Sequence, residues 1–299
     1  MRVLVSGSHG LIGSELVARL PGAGHEPVRL VRGHRAAPGE ARWDVEAGTI
    51  DSGALDGVDA VVNLAGEGIA AHRWSADHKR RVLASRVEGT RLLAEAAAAA
   101  QPRPSVFVNA SAIGYYGGRG EEELTEESAP GRDFLADVCR QWEAATGAAE
   151  AAGVRVVLLR SGIVLSPKGG ALAKQLPLFR LGLGGRLGSG RQWTSWISLD
   201  DEVGAILHSL GEEGVRGPVN ATAPHPVTNA QFTRTLARVL RRPAVARVPG
   251  PALSAAMGAE MAKVMLLASQ RVLPAKLDAT GYRFRHRELD PAFRALLGR

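Results

Sequence analysis

Val3-Leu-Val-Ser-Gly7-Ser-His-Gly10-Leu-Ile-Gly13-Ser-Glu-Leu-Val17 decides the fold. An apolar run of strand length enters a glycine turn, and the turn opens a helix whose apolar positions include Leu11, Ile12, Leu16, Val17 and Leu20. The spacing is Gly-x-x-Gly-x-x-Gly. A turn this tight needs residues without Cβ, and a phosphate reaches the backbone only where no side chain intervenes. The N–H groups and the positive dipole end of the helix then face a pyrophosphate. Gly7, Ser8, Gly10, Leu11, Ile12 and Gly13 are therefore the first expected dinucleotide contacts.

Outward from this turn, strands and helices alternate. Pro27–Val31 reads as the second strand and ends in Arg32, Gly33, His34 and Arg35, with no carboxylate. An acidic residue at this place would hold the ribose hydroxyls of NAD, whereas a guanidinium pairs with a 2′-phosphate, so Arg32 and Arg35 predict NADP(H). Trp43-Asp44 ends a short third strand, where Asp44 can meet an adenine amino group. Val58–Gly66 is a fourth strand ending in Asn63-Leu64-Ala65-Gly66, small residues that let backbone lie against a cofactor. A long helix is expected over 77–100, a fifth strand over 105–111, a helix over 132–152 and a sixth strand over 154–160. The expectation is an α/β, doubly wound parallel sheet with flanking helices, the NAD(P)-binding Rossmann fold. Beyond Gly162 the texture becomes glycine-rich and irregular, with a return strand at 217–222 and a capped helix from Thr228 to Leu240. A smaller, mainly helical C-terminal part is expected to be interleaved with the first. The Rossmann part spans 1–165 and about 198–223, and the substrate-side part spans about 166–197 and 224–299.

Composition narrows the partners. Hydrophobic content of 45% and charge of 22% over 299 residues are those of an ordinary globular chain. The net charge of +7 raises the question of nucleic acid or a membrane surface. The lysines are only Lys79, Lys168, Lys174, Lys263 and Lys276, and the arginines read as scattered among Glu and Asp. That is a mixed solvated surface, so neither nucleic acid nor membrane is expected, and part of the charge suits a phosphorylated ligand. The single cysteine, Cys139, fits a reducing compartment. With no leader-like or membrane-spanning stretch, the expectation is a soluble cytoplasmic monomer or homodimer acting on a small molecule, without a metal.

Further motifs join the glycine turn. They are Asn63-Leu-Ala-Gly-Glu67, Arg73-Trp74, Ala110-Ser-Ala-Ile-Gly-Tyr-Tyr-Gly117, Asp133-Phe-Leu-Ala-Asp137 with Trp142-Glu143, Leu165-Ser-Pro-Lys-Gly-Gly170, Gly188–Ile197, Asn220-Ala-Thr-Ala-Pro224 and Gln270–Lys276. With them the chain resembles, over nearly its whole length, the atypical extended branch of the short-chain dehydrogenase/reductase superfamily. Within that branch it is similar to the epimerase-like family that carries a small C-terminal domain of unknown function. The resemblance implies an NADP-binding Rossmann domain, with Ala110, Ser111 and Cys139 beside the cofactor and the backbone of Arg160 and Gly162 near the nicotinamide amide.

The same resemblance exposes a departure. The superfamily's Tyr-x-x-x-Lys pair, four apart on one helix face, hands a proton to the substrate oxygen. Aligning Glu143 on the acidic residue that follows places Leu135 at the Tyr position and Cys139 at the Lys position. Neither can do that chemistry. Ser111 stands at the expected Ser position, where it can polarise a carbonyl or simply cap a strand end. Tyr115 and Tyr116 offer phenols or packed rings, and Glu67 offers an acid/base carboxylate or a loop charge. Ser111, Tyr116 and Glu67 are the catalytic candidates. The expected activity is an NADP(H)-dependent oxidoreductase, by preference a reductase. A non-catalytic NADPH-binding sensor and a nucleotide-sugar epimerase are the alternatives.

Overall fold

A computed structural model describes residues 1–33 and 37–299. Its central sheet is built on β1 (Arg2–Ser6), β2 (Glu26–Val31), β3 (Glu40–Asp44), β4 (Thr49–Ile50), β5 (Ala60–Asn63), β6 (Val106–Ala112), β7 (Arg155–Ser161) and β8 (Gly217–Ala221). The strands lie in the order β8-β7-β6-β5-β1-β2-β3-β4. β1 runs parallel to both β2 and β5, with Val5 opposite Arg29 and Val62. β2 and β3 are parallel, as are β5 and β6, and only the short β4 turns back antiparallel on β3. The strand order reverses between β1 and β5, and a ligand of such a sheet binds at the carboxyl ends of that pair.

Sequence pattern explains the layers. Strands that are covered on both faces read as continuous apolar runs, as Val3-Leu-Val5 and Ala60-Val-Val62 do, and all six side chains are fully buried. On one face Leu4, Val61 and Phe107 pack with Leu93, Ala94 and Ala97 of α2 (Ala76–Ala99). Helix α1 (Leu11–Arg19) buries Leu16 and Val17. The single helix expected over 132–152 is two, α3 (Phe134–Ala144) and α4 (Gly147–Ala151). The break falls where the Thr146 hydroxyl donates to the Glu143 carbonyl and competes with the helix ladder, just before Gly147.

The chain divides into two compact units. The first comprises 1–111, 138–159 and 203–219, and the second 112–137, 160–202 and 220–299. The boundaries fall inside β6, α3, β7, α6 (Leu199–Gly211, with α5 at Gly170–Arg180 preceding it) and β8. In the second unit Phe179, Trp196, Phe232, Leu236 and Phe293 share one core. Helix α7 (Asn229–Leu240) begins at a capping box, Thr228 and Gln231 satisfying each other's backbone. The apolar stretch 251–269 is interrupted at Gly258, whose φ of +96° ends one helix before the next begins. Among the described residues no helix is long and apolar enough to cross a membrane.

Candidate dinucleotide and proton-transfer site

The glycine turn has the geometry its spacing predicts. Gly7 adopts φ +65°, and a Cβ there would lie 2.7 Å from the Leu64 backbone at the end of β5. Gly10 closes the turn by donating to the Gly7 carbonyl at 2.9 Å and stands as the extended N-cap of α1. At Gly13 a Cβ would be 2.2 Å from the Gly7 carbonyl oxygen, so the helix is packed onto the turn that feeds it. Leu11 and Ile12 form the first helical positions, whose N–H groups lack intrahelical partners. Beside them the Ser8 hydroxyl is buried and has no hydrogen-bond partner among the described residues. A buried orphan hydroxyl at a helix N-terminus, in a cradle that any Cβ would fill, suits a phosphate group. These residues fit a dinucleotide pyrophosphate.

A polar hub that the sequence reading did not pick out holds the neighbouring strand ends. Ser6 donates to Asn63 Oδ1 at 2.5 Å, and Asn63 Nδ2 donates to Thr90 at 2.8 Å and Asn109 at 2.7 Å. Trp142 Nε1 also donates to Thr90. The backbone N–H groups of Leu64 and Ala65 both reach the Ser6 hydroxyl, so the segment after β5 is fixed against β1. A Cβ on Gly66 would press to 3.1 Å on the buried Arg86 guanidinium, which itself donates to the Glu67 carbonyl. The only sequence signal for the hub is a polar residue at the end of each apolar strand run.

Glu67 is clamped. Its carboxylate accepts from Arg81 Nε at 3.2 Å and faces His78 Nδ1 at 3.3 Å. Burial pushes its pKa up, but Arg81 and His78 together outweigh burial and hold the carboxyl below its ordinary value. That is a weak base in a small ionic cluster.

At the far end of β2, Arg32 is exposed. Arg35 lies outside the described residues. A cleft of about 260 Å³ lies at the carboxyl ends of β2 and β3, lined by Gly33, Trp43 and Asp44 among others. The Asp44 Oδ1 accepts from the Ala47 N–H at 3.0 Å, which orients the carboxylate in a turn.

At the end of β6, Ala110 is half-buried and Ser111 is buried. The Ser111 hydroxyl donates to Glu143 Oε1 at 2.6 Å, with both side chains withdrawn from solvent. In the sequence Glu143 belongs to the Trp142-Glu143 motif and fixes the alignment of the Tyr and Lys positions, with nothing there to tie it to Ser111. Its contact with Ser111 spans 32 residues and emerges only when α3 packs on β6. Cys139, one turn earlier on α3, is a buried thiol outside any disulfide, and Leu135 is partly buried.

Tyr115, Tyr116, Arg160 and Gly162 belong to the second unit. Tyr116 is fully buried, donating to Asn220 Oδ1 at 2.7 Å and accepting from Arg160 Nη1 at 3.0 Å. Burial pushes its phenol up to about 12, with Arg160 and Asn220 pulling the other way. Tyr116 thus links Asn220 and Arg160 inside the second unit. The Arg160 guanidinium lies 3.4 Å over the Tyr115 ring. Gly162 donates its N–H to the Ala221 carbonyl, and a Cβ there would be 2.9 Å from the Ser195 carbonyl oxygen. Trp196 is core, and its Nε1 donates to the His225 carbonyl.

A parallel sheet with a strand-order reversal, a three-glycine turn and a buried orphan hydroxyl at the helix start define a Rossmann-type dinucleotide-binding protein. The chain belongs to the NAD-dependent epimerase/dehydratase family, whose model matches residues 3–221, and residues 248–296 match a domain of unknown function, DUF1731. An epimerase family protein of Mycobacterium bovis is 46% identical over 290 residues, covering 97% of this chain and 95% of its own. The crystal structure of the human epimerase family protein SDR39U1 with NADPH superposes with a TM-score of 0.90 at 37% identity, covering 100% of this chain and 99% of that one. A nucleoside-diphosphate sugar epimerase from Corynebacterium glutamicum superposes at 0.81 and 40% identity, covering 100% of this chain but 58% of that one.

Proposed function

We propose that this protein is an NADP(H)-dependent oxidoreductase, working by preference as a carbonyl reductase, with Ser111 and Glu143 in place of the missing Tyr/Lys pair. The observation that carries the reading is the buried 2.6 Å hydrogen bond between Ser111 and Glu143. It places a hydroxyl and a carboxyl in series within the unit that holds the glycine turn. NADP(H), when bound, supplies or accepts the hydride. Gly7, Ser8, Gly10 and Gly13 cradle its pyrophosphate, Leu64–Gly66 form a backbone wall, and Arg32 pairs with its 2′-phosphate. The human relative's NADPH supports the choice of cofactor. In oxidation a substrate hydroxyl proton passes to Ser111 while the Ser111 proton passes along the observed hydrogen bond to the Glu143 carboxylate; reduction is the reverse, from a protonated Glu143 carboxyl through Ser111 to the carbonyl oxygen.

A panel of aldehydes and ketones with NADPH at 340 nm tests this. Substrate-dependent oxidation is expected in the wild type, with a loss of about 10²–10⁴-fold in Ser111→Ala and little change in NADPH affinity. A panel wholly inert beside tight NADPH binding overturns it. That result would favour the second reading, a protein that binds NADPH without turning it over, for which the burial of Ser111 speaks.

A further inference from the structure

Averaged over the chain the charges are mixed, but in the folded second unit they are segregated. Residues 161–199 and 220–259 hold ten of the 37 Lys and Arg and none of the 30 Asp and Glu, so the remainder of the chain is net acidic. Folding brings these two segments together. Gly185–Leu187 pairs in parallel with Ala246–Val248, and α5 and α7 are in contact. The register sets Arg186 directly opposite Arg247, both exposed, and like charges facing across a ladder destabilise it. Arg247 is held there by its Nε donating to the Gly188 carbonyl at 3.1 Å, so the pair presents two guanidinium groups side by side to solvent.

Apolar side chains are exposed at the same place. Among the described residues the large exposed apolar side chains are Met1, Leu178, Leu181, Leu183 and Val245, and the last four are neighbours. The Leu183 N–H bonds to the Leu178 carbonyl, a Cβ on Gly182 would touch Pro243, and Val245 immediately precedes the strand that pairs with Gly185. Leu181 is 73% and Val245 91% exposed, values at which burying them against a partner recovers most of their hydrophobic free energy.

We propose that this face, Leu178–Leu183 with Val245 set among Arg186 and Arg247, docks on an anionic phospholipid surface. Aliphatic tips enter the acyl boundary while the guanidinium groups meet lipid phosphates and carboxylates. The chemistry selects against the other occupants. A two-fold contact of this face with itself would set cations against cations. A nucleic acid would use the arginines but not four aliphatic side chains, since bases stack on aromatic rings.

The test is co-sedimentation of the full chain with vesicles of phosphatidylcholine alone or with about 30% phosphatidylserine. Binding only to the anionic vesicles is expected, weakening with salt. Arg186→Glu/Arg247→Glu should lower the affinity at least about tenfold, and Leu181→Ser/Leu183→Ser should remove the salt-resistant part. All four positions are at the surface, so an unchanged melting curve accompanies each loss. Equal binding to both vesicles, no binding, or full binding by the variants overturns the proposal. Retention on duplex or single-stranded DNA without vesicle binding, or a dimer broken by the leucine variants, overturns it equally by assigning the face to another partner.

Discussion

Gly13 sits so close to Gly7 that a methyl group on it would lie 2.2 Å from the Gly7 carbonyl oxygen. The obstacle is backbone, which cannot rotate away, so α1 must shift off the turn to admit it. Gly13→Ala is expected to lower NADPH affinity at least about tenfold and to destabilise the fold by about 1–3 kcal/mol. Cofactor fluorescence and thermal melts read the two effects separately. An alanine variant with wild-type affinity would mean that the turn does not hold the pyrophosphate.

Cofactor choice rests on the end of β2. Arg32→Glu replaces the phosphate partner with a repelling carboxylate. NADPH affinity should fall by about 10- to 100-fold, the range of a charged hydrogen bond, while NADH affinity holds or rises. Equal losses for both cofactors would remove Arg32 from the 2′-phosphate.

The Ser111–Glu143 pair separates chemistry from stability. Glu143→Gln keeps an acceptor for the Ser111 hydroxyl but removes the ionisable group. Turnover is expected to fall with NADPH affinity and melting temperature nearly unchanged. Ser111→Ala leaves the buried carboxyl without this partner and should also lower stability, by about 1–3 kcal/mol. If Glu143→Gln retains full turnover, the carboxyl is not in the proton path.

Glu202 offers a pH signature in the second unit. It is fully buried, its Oε2 has no hydrogen-bond partner among the described residues, and burial pushes its carboxyl from 4.5 up to about 7, only partly offset by the Ser161 hydroxyl. The folded chain thus holds a proton that the unfolded chain releases above 4.5. Between pH 4.5 and about 7 folding takes up that proton, so the side chain's stabilising contribution declines as pH rises through this window. Glu202→Gln should melt near the wild type at low pH and increasingly above it toward pH 8. A constant difference across that range would show that Glu202 does not titrate there.

What was legible in the sequence is what is local. The glycine turn, the apolar strands and the Thr228 cap each declare themselves within a few residues, because conformation there is set by missing Cβ atoms, alternation and a single hydroxyl. Contacts between distant segments were not. Asn63 joins Ser6, Thr90 and Asn109, and Ser111 meets Glu143, only once strands and helices are stacked. Tyr116 looked like a loop phenol because nothing in its neighbourhood announces Asn220 or Arg160. The charge segregation escaped for a related reason. Two acid-free segments became one surface only when Arg186 and Arg247 came into register.

The unit boundaries inside β6, α3, β7, α6 and β8 bear on how this chain can be divided. Residues 248–296 match a family model of their own, yet their partners are elsewhere in the sequence. Phe293 meets Phe232 edge to face, Val272 pairs with Leu124, and Gln270 donates to the Ile113 carbonyl. Cut out as a fragment, that stretch would leave these side chains without the surfaces that bury them. The stretch 222–247 between the two family matches is therefore not a seam in the folded molecule, and insertions, fusions or truncations there act on the second unit's core rather than on a detachable module.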